Sequence, residues 1–526
     1  MDPFRIDRAA PPEQIETQLE RLDPAAAPDA RTLIELHETL LFLRAYPPSL
    51  RAARLADRLL FRFHQFTAAL AKRTGSLLEF EEPEISGVAG TAFTAVFTRP
   101  VALQLAVRHE RRIAVDWERF DTIEQMGPAA ASMLPLAAED SMVEAHPPFE
   151  RWFRRASLRW LADAAPSDLH YDHIQVPVRW KLGASRASRS RTRLRGAPVF
   201  IHSAPLIRRS EVSIRAELES QPIPVKRLAA REAAEVLGLI LDTSAVRYRE
   251  LYGFTFPDRN DVRRAELGRG VVCFYFGVPP DRRLPLRAYH CGMFFKNGVP
   301  AGYMETLSLF ERAEVGFNLY YTFRDGETAW IYARLLKLFH QELGVTCFAV
   351  DPYQIGHENE EAIASGAFWF YRKLGFRPAN ADAESLARRE EQRLAARPGY
   401  RTPPATLRKL ASSPLVYAAS RDWDRFEVRN IGLRATEALF ARHGGNLAAM
   451  RAEAQRRTRQ ILGVSPPPDF AVALGLIPGL SRWSEPERAA LSAIVRAKSR
   501  DAESRYLRLM QQHARLRAAW LRLGSA

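Results

Sequence analysis

The chain is 526 residues long, 47% hydrophobic and 26% charged, with a formal net charge of +15. That length is too great for one ordinary core, so roughly two to four domains are expected, and the composition excludes a disordered chain. No apolar run reaches the roughly 18–20 residues of a membrane span, and Cys273, Cys291 and Cys347 form no CxxC pair, so neither a disulfide framework nor a thiolate zinc site is expected.

The first residues, MDPFRIDRAAPPEQIE, hold no apolar core of a signal peptide, and with so few cysteines a cytoplasmic location is expected. The positive charge suits anionic partners. It is carried by arginines spread through Ala/Arg-rich helical segments, so a nucleic-acid partner is not the favoured reading. The densest basic run, Ala184 to Gly196, is either a phosphate-contacting loop or a flexible solvated one; its Ser/Arg/Gly composition favours the second.

Residues 1–165 read as a mostly helical domain with a small β element. Leu33, Leu36, Leu40 and Leu43 recur at helical spacing until Pro47-Pro48. Short β-rich runs follow at 93–97 and 113–115, and helical patterning resumes around 150–161. Residues 166–220 read as a connector with strands and the basic loop; Ile174, Val176, Val178 and Trp180 share one face of a period-2 segment. The set His170, Asp172 and His173 has metal-ligand chemistry, but no HExxH motif or third ligand set accompanies it, so structural or surface histidines are expected.

From 221 to 380 strands and helices alternate. A short strand at 223–228 leads into a helix with Ala233, Val236, Leu237, Ile240 and Leu241 on its apolar side. Strands are expected at 270–278, on both sides of the tight Asn297-Gly298 hairpin within 288–308, and at 314–323. A helix follows with Ile331, Leu335, Leu338, Phe339 and Leu343 as its buried stripe and Gly344 as its stop. The apolar strand 345–350 comes next, and a last helix carries SGAFWFYRKLGFRP. Residues 381–526 read as a helical C-terminal region. Its final helix, from about Glu485, carries a coiled-coil-like seam of Tyr506, Leu509, His513, Leu516, Trp520 and Leu523, for dimerisation or docking on the same chain.

The loop FRDGETAW joins a strand to a helix, an arrangement whose free N–H groups and dipole hold anions, although Asp325 or Thr328 also makes an ordinary cap. The order of elements and the closing Tyr371-Arg372-Lys373-Leu374-Gly375-Phe376 resemble the GNAT acyltransferase superfamily over about 221–378. The resemblance implies a fold of α/β (α+β) class: a mixed sheet with two splayed parallel strands at its centre, flanked here by helical N- and C-terminal regions. It implies acetyl-coenzyme A or another acyl-coenzyme A as cofactor, no metal, and an amine-bearing small molecule or protein as acceptor. Tyr371 inherits the role of general acid, and Glu305 or Glu314 that of base. Tyr321, Thr322, Phe323, Arg324, Asp325, Gly326, Glu327, Thr328 and Ala329 would hold the cofactor. The loop departs from the family pattern: Gly326 comes one place early and Glu327 stands where a glycine is usual, and an acidic side chain there repels phosphate unless it turns away. His357 with Glu358, Glu360 and Glu361 reads as a solvated charge run, and its expected place near the substrate mouth also makes it a candidate for recognising a basic substrate. Two alternatives stay open: a non-catalytic binding or scaffold protein of this fold using its basic helical flanks, and transfer from an aminoacyl-tRNA.

Overall fold

The computed structural model describes residues 4–120 and 155–525 except 195, 197, 419 and 420, with isolated positions between 132 and 153. The expected start of a helix near residue 150 lies outside them; the helix described there is Leu158–Ala164. The molecule is mixed α/β, a large mixed sheet with helices on both faces.

The sheet is built from β4 (Val225–Arg227), β5 (Arg263–Gly268), β6 (Val271–Phe276), β7 (Ala288–Lys296), β8 (Val299–Leu309), β9 (Arg312–Leu319), β10 (Cys347–Val350), β11 (Arg377–Pro378) and β12 (Leu415–Ala418). They run in the order β11-β12-β10-β9-β8-β7-β6-β5-β4. Neighbours are antiparallel except β9 and β10, which are parallel. Alternation along β6 explains its continuous burial. Val271, Cys273 and Tyr275 pack with the central helix Thr328–Leu343 on one face, while Val272, Phe274 and Phe276 pack with the helix Ala230–Ala245 on the other. The hairpin at Asn297-Gly298 forms as expected, with φ of 49° and 78°, the pair of left-handed residues that a tight turn needs.

Three departures from the sequence reading are long-range pairings. First, β3 (Pro177–Lys181), in the segment expected as a connector, pairs with both β1 (Ala92–Val96) and β2 (Ile113–Val115). The expected boundary at 165 therefore cuts through a three-stranded sheet with its own apolar core. Second, β12 comes from beyond residue 380 and inserts between β10 and β11, so the C-terminal region is not helical alone. Third, the final helix is three, Glu485–Arg500, Glu503–Gln511 and Ala514–Gly524. Their seam docks on the same chain: the Tyr506 hydroxyl donates to Leu286 O at 2.6 Å, and Trp520 packs edge-on against Phe310 and Phe470.

The basic loop is likewise not a solvated one. Ser188, Arg189, Ser190 and Thr192 are buried. Arg189 pairs with Glu38 at 2.7 Å, and Glu38 also accepts from the Thr322 hydroxyl and bonds His37 at 3.0 Å. Arg44 donates to Ser190 O at 2.9 Å. The loop's polar groups thus join the first long helix, Ala30–Ala45, to the turn after β9. His170 and His173 are exposed, and Asp172 accepts from Arg99 N at 2.8 Å. Among the described residues no helix is long and apolar enough to cross a membrane.

Candidate functional site

The strand ladder opens at one place. β9 and β10 pair only through Arg312–Glu314 and Cys347–Ala349, whereas β9 stays paired with β8 as far as Leu319. From Val315 to Leu319 its other edge has no strand partner, so backbone donors and acceptors there need another. The Gln354 side chain, just after β10, meets two of them: Phe317 N donates to its Oε1 at 3.3 Å, and its Nε2 donates to Val315 O at 3.1 Å. Strand alternation turns Phe317 O and Leu319 N toward the same opening.

A cavity of about 810 Å³ lies at this parting, a size usual for small-molecule sites. Its walls include Gly316–Leu319, the start of the central helix at Gly326, Thr328 and Ala329, and the side chains of Glu305 and Tyr371. Arg208, Arg209 and Arg324 also line it. At the helix start, the N–H groups of Asp325, Thr328 and Ala329, which line the cavity, bond no backbone carbonyl among the described residues. Free donors, the helix dipole and the guanidiniums of Arg208 and Arg209 together favour an anion, while Arg324 is paired with Glu361 on the same wall.

The acidic residue in this loop does turn away. Glu327 is fully buried, with Arg269 at 2.5 Å, Lys296 at 3.3 Å and Ile207 N donating to it at 3.3 Å. Burial pushes its pKa up, but the bonds from Arg269 and the Lys296 charge outweigh that and hold it below the usual carboxylate value. Lys296 is also fully buried and sits 4.7 Å from the Tyr46 ring; desolvation lowers its pKa to about 8. Asp325 points out to solvent, 3.7 Å from Arg8. Gly326 is required by close approach: a Cβ there would lie 2.5 Å from the Tyr46 ring. Gly326→Ala is therefore expected to cost about 1–3 kcal/mol as overpacking, measured as a lower midpoint in urea.

Tyr371 lies on the short helix Ala367–Arg372, which Gly366 enters at φ 69°. That left-handed residue separates it from the preceding helix Glu360–Ser365, so the expected single closing helix is two. Phe368 is fully buried, and the Tyr371 ring packs edge-on against Tyr332 and Phe376. Burial alone pushes the Tyr371 hydroxyl pKa up, so it stays protonated at neutral pH. Glu305, on β8, accepts a hydrogen bond from the Tyr289 hydroxyl, which itself accepts from Gly253 N at 3.1 Å. Burial raises the Glu305 pKa, moving a carboxylate toward the range of a useful base.

Tyr371, Glu305, Arg324, Asp325, Gly326, Thr328 and Ala329 are thus brought to one cavity. Glu314 is not: its carboxylate is taken by Arg287 at 2.6 Å and Arg312 at 3.5 Å, away from the cavity wall. Tyr321, Thr322 and Phe323 are not either. β9 ends at Leu319, and these three form a turn facing the N-terminal helices, with Thr322 bonded to Glu38 and Arg189 above the Tyr321 ring. Of the charge run, Glu361 reaches the cavity and pairs with Arg324 at 2.7 Å, while Glu360 pairs with Arg408. Sequence reading missed Gln354, Arg208 and Arg209. A lone Gln after a strand and an Arg pair in an irregular segment carry no local signal. Comparison with protein-family models, with curated proteins and with solved structures finds no match to this chain.

Proposed function

We propose that the cavity holds an acyl-coenzyme A and that the chain transfers its acyl group to an amine, on a fold of the GNAT type. The observation that carries this reading is the parting of β9 from β10 beside a helix start with free N–H groups. The unpaired β9 edge suits the amides of a pantetheine arm, and the helix start with Arg208, Arg209 and Arg324 suits a pyrophosphate. Fold resemblance alone does not license an activity; Tyr371 and Glu305 on the cavity wall support one as candidate acid and base.

In this reading the amine nitrogen attacks the thioester carbonyl carbon and gives its proton to Glu305. The C–N bond forms as the C–S bond breaks, and the leaving thiolate takes the Tyr371 proton, which solvent restores. A strand N–H of β9 polarises the carbonyl oxygen. The arm either displaces Gln354 from Val315 and Phe317 or pairs beyond it, at Phe317 O and Leu319 N.

A second reading, a binding protein without catalysis, is favoured by Gln354, which already satisfies the strand edge. A thermal melt of the full chain separates the two. Acetyl-coenzyme A at a hundred times its Kd is expected to add about 2.7 kcal/mol, seen as a raised Tm. No shift at millimolar cofactor favours the second reading.

A further inference from the structure

Where β9 ends, the cavity continues into a recess of about 20 Å³. The two spaces share Asn318, Leu319, Arg324 and Glu361 in their walls. The recess adds Arg247, Arg249 and Glu84, so three guanidiniums face two carboxylates. Both carboxylates are taken: Glu84 pairs with Arg249 and Glu361 with Arg324, each at 2.7 Å.

Arg247 is the cation left over. It is 8% exposed, and among the described residues no carboxylate lies within 4.0 Å of it. It donates to Thr243 O at 3.0 Å and lies 4.2 Å above the Tyr320 ring. Burial lowers its pKa to about 10, with Tyr320 and Glu38 pulling up and Arg189 pushing down, so it remains charged at neutral pH. A buried charge without a counter-charge is costly, and an anionic group entering the recess would complete it. The recess is also close to the reacting end: Arg249 acts electrostatically on Tyr303, which lines the larger cavity with Glu305.

We infer that the recess is the carboxylate subsite of the acceptor, so that the acceptor is an amino-acid-like molecule whose amine reaches Glu305. The inference rests on the acyl-transfer reading for its second half only. One uncompensated cation and a recess this small suit a monoanionic carboxylate better than a bulkier, more highly charged phosphate. In the transfer step the acceptor carboxylate is unchanged: the amine nitrogen bonds the acyl carbon, the C–S bond breaks, and protons pass to Glu305 and from Tyr371.

The test uses the full chain with a panel of amino acids beside their carboxamides, first in thermal melts without coenzyme A and then in thiol release from acetyl-coenzyme A. Amino acids are expected to raise Tm where their amides do not, and to give kcat/KM at least about tenfold higher. Arg247→Gln is expected to remove both preferences by raising the amino-acid KM, while acetyl-coenzyme A still shifts Tm. The wild-type comparison needs no variant, so a poorly folded Arg247→Gln does not blunt it, and Arg247→Lys, which keeps the charge, should keep part of the preference. Equal treatment of acids and amides overturns the subsite even if acetyl-coenzyme A binds. Carboxylate-dependent stabilisation without thiol release upholds the subsite and overturns acyl transfer instead.

Discussion

Truncating Glu38 to Ala is expected to destabilise the protein by about 3–5 kcal/mol, read as a lower urea midpoint at pH 7. The size follows from what is left behind. Arg189 is buried, and Glu38 is the carboxylate paired with it at 2.7 Å, while the same carboxylate holds His37 and the Thr322 hydroxyl. Removing it strands a buried guanidinium and loosens the joint between the first long helix, the basic loop and the turn after β9. Glu38→Gln keeps the hydrogen-bond acceptor and should lose less. A loss below about 1 kcal/mol for the Ala variant would show that Arg189 finds another counter-charge.

Acid should reproduce the effect by titration. Burial pushes the Glu38 pKa up, but Arg189, His37 and Thr322 together pull it down from the ordinary 4.5 to about 2. A carboxylate depressed in the folded state contributes stability above its unfolded pKa that is lost as pH falls toward 2. His37 acts in the same direction and earlier. Desolvation lowers its pKa from 6.5 to about 4 against the pull of Glu38, with Arg189 and Arg44 adding to the drop. The unfolded chain therefore binds a proton there first, and stability declines as pH falls from 6.5 toward 4. In the Glu38→Ala variant the step below pH 4.5 should be smaller.

Replacing Tyr371 by Phe is expected to lower turnover about 100-fold or more while leaving acetyl-coenzyme A affinity within about twofold. The ring contacts with Tyr332 and Phe376 survive the change, so the fold keeps its packing and only the hydroxyl that the acyl-transfer reading needs is removed. The comparison is single-turnover thiol release against a binding titration. Unchanged turnover would remove Tyr371 from the mechanism; a matching loss of affinity would assign it to binding.

Local pattern carried much of the fold into view. The Asn297-Gly298 hairpin, the apolar stripe of Thr328–Leu343 and its Gly344 stop each depend on residues a few places apart. The spacing of Tyr371 to Gly375-Phe376 pointed to one wall of the cavity, and Glu305 to another. Glu327 could be read only as a conditional: an acidic residue in an anion loop is compatible with it if something inside holds it. Arg269 and Lys296 are what hold it, and neither is near it in sequence.

By itself, then, the sequence determined the central helix, most strands and the apolar burial of the strand Cys347–Val350, because periodicity and turn chemistry act over a few residues. Only the tertiary structure decided that β12 enters the sheet from outside the expected unit, that the basic loop is buried, and that Glu314 is diverted from the cavity. Glu314 is held by the nearer Arg287 and Arg312, while the first two outcomes rest on charges and strand edges meeting partners far along the chain, as Glu38 meets Thr322 across 284 residues. Such a partner leaves no mark on the local pattern of either residue.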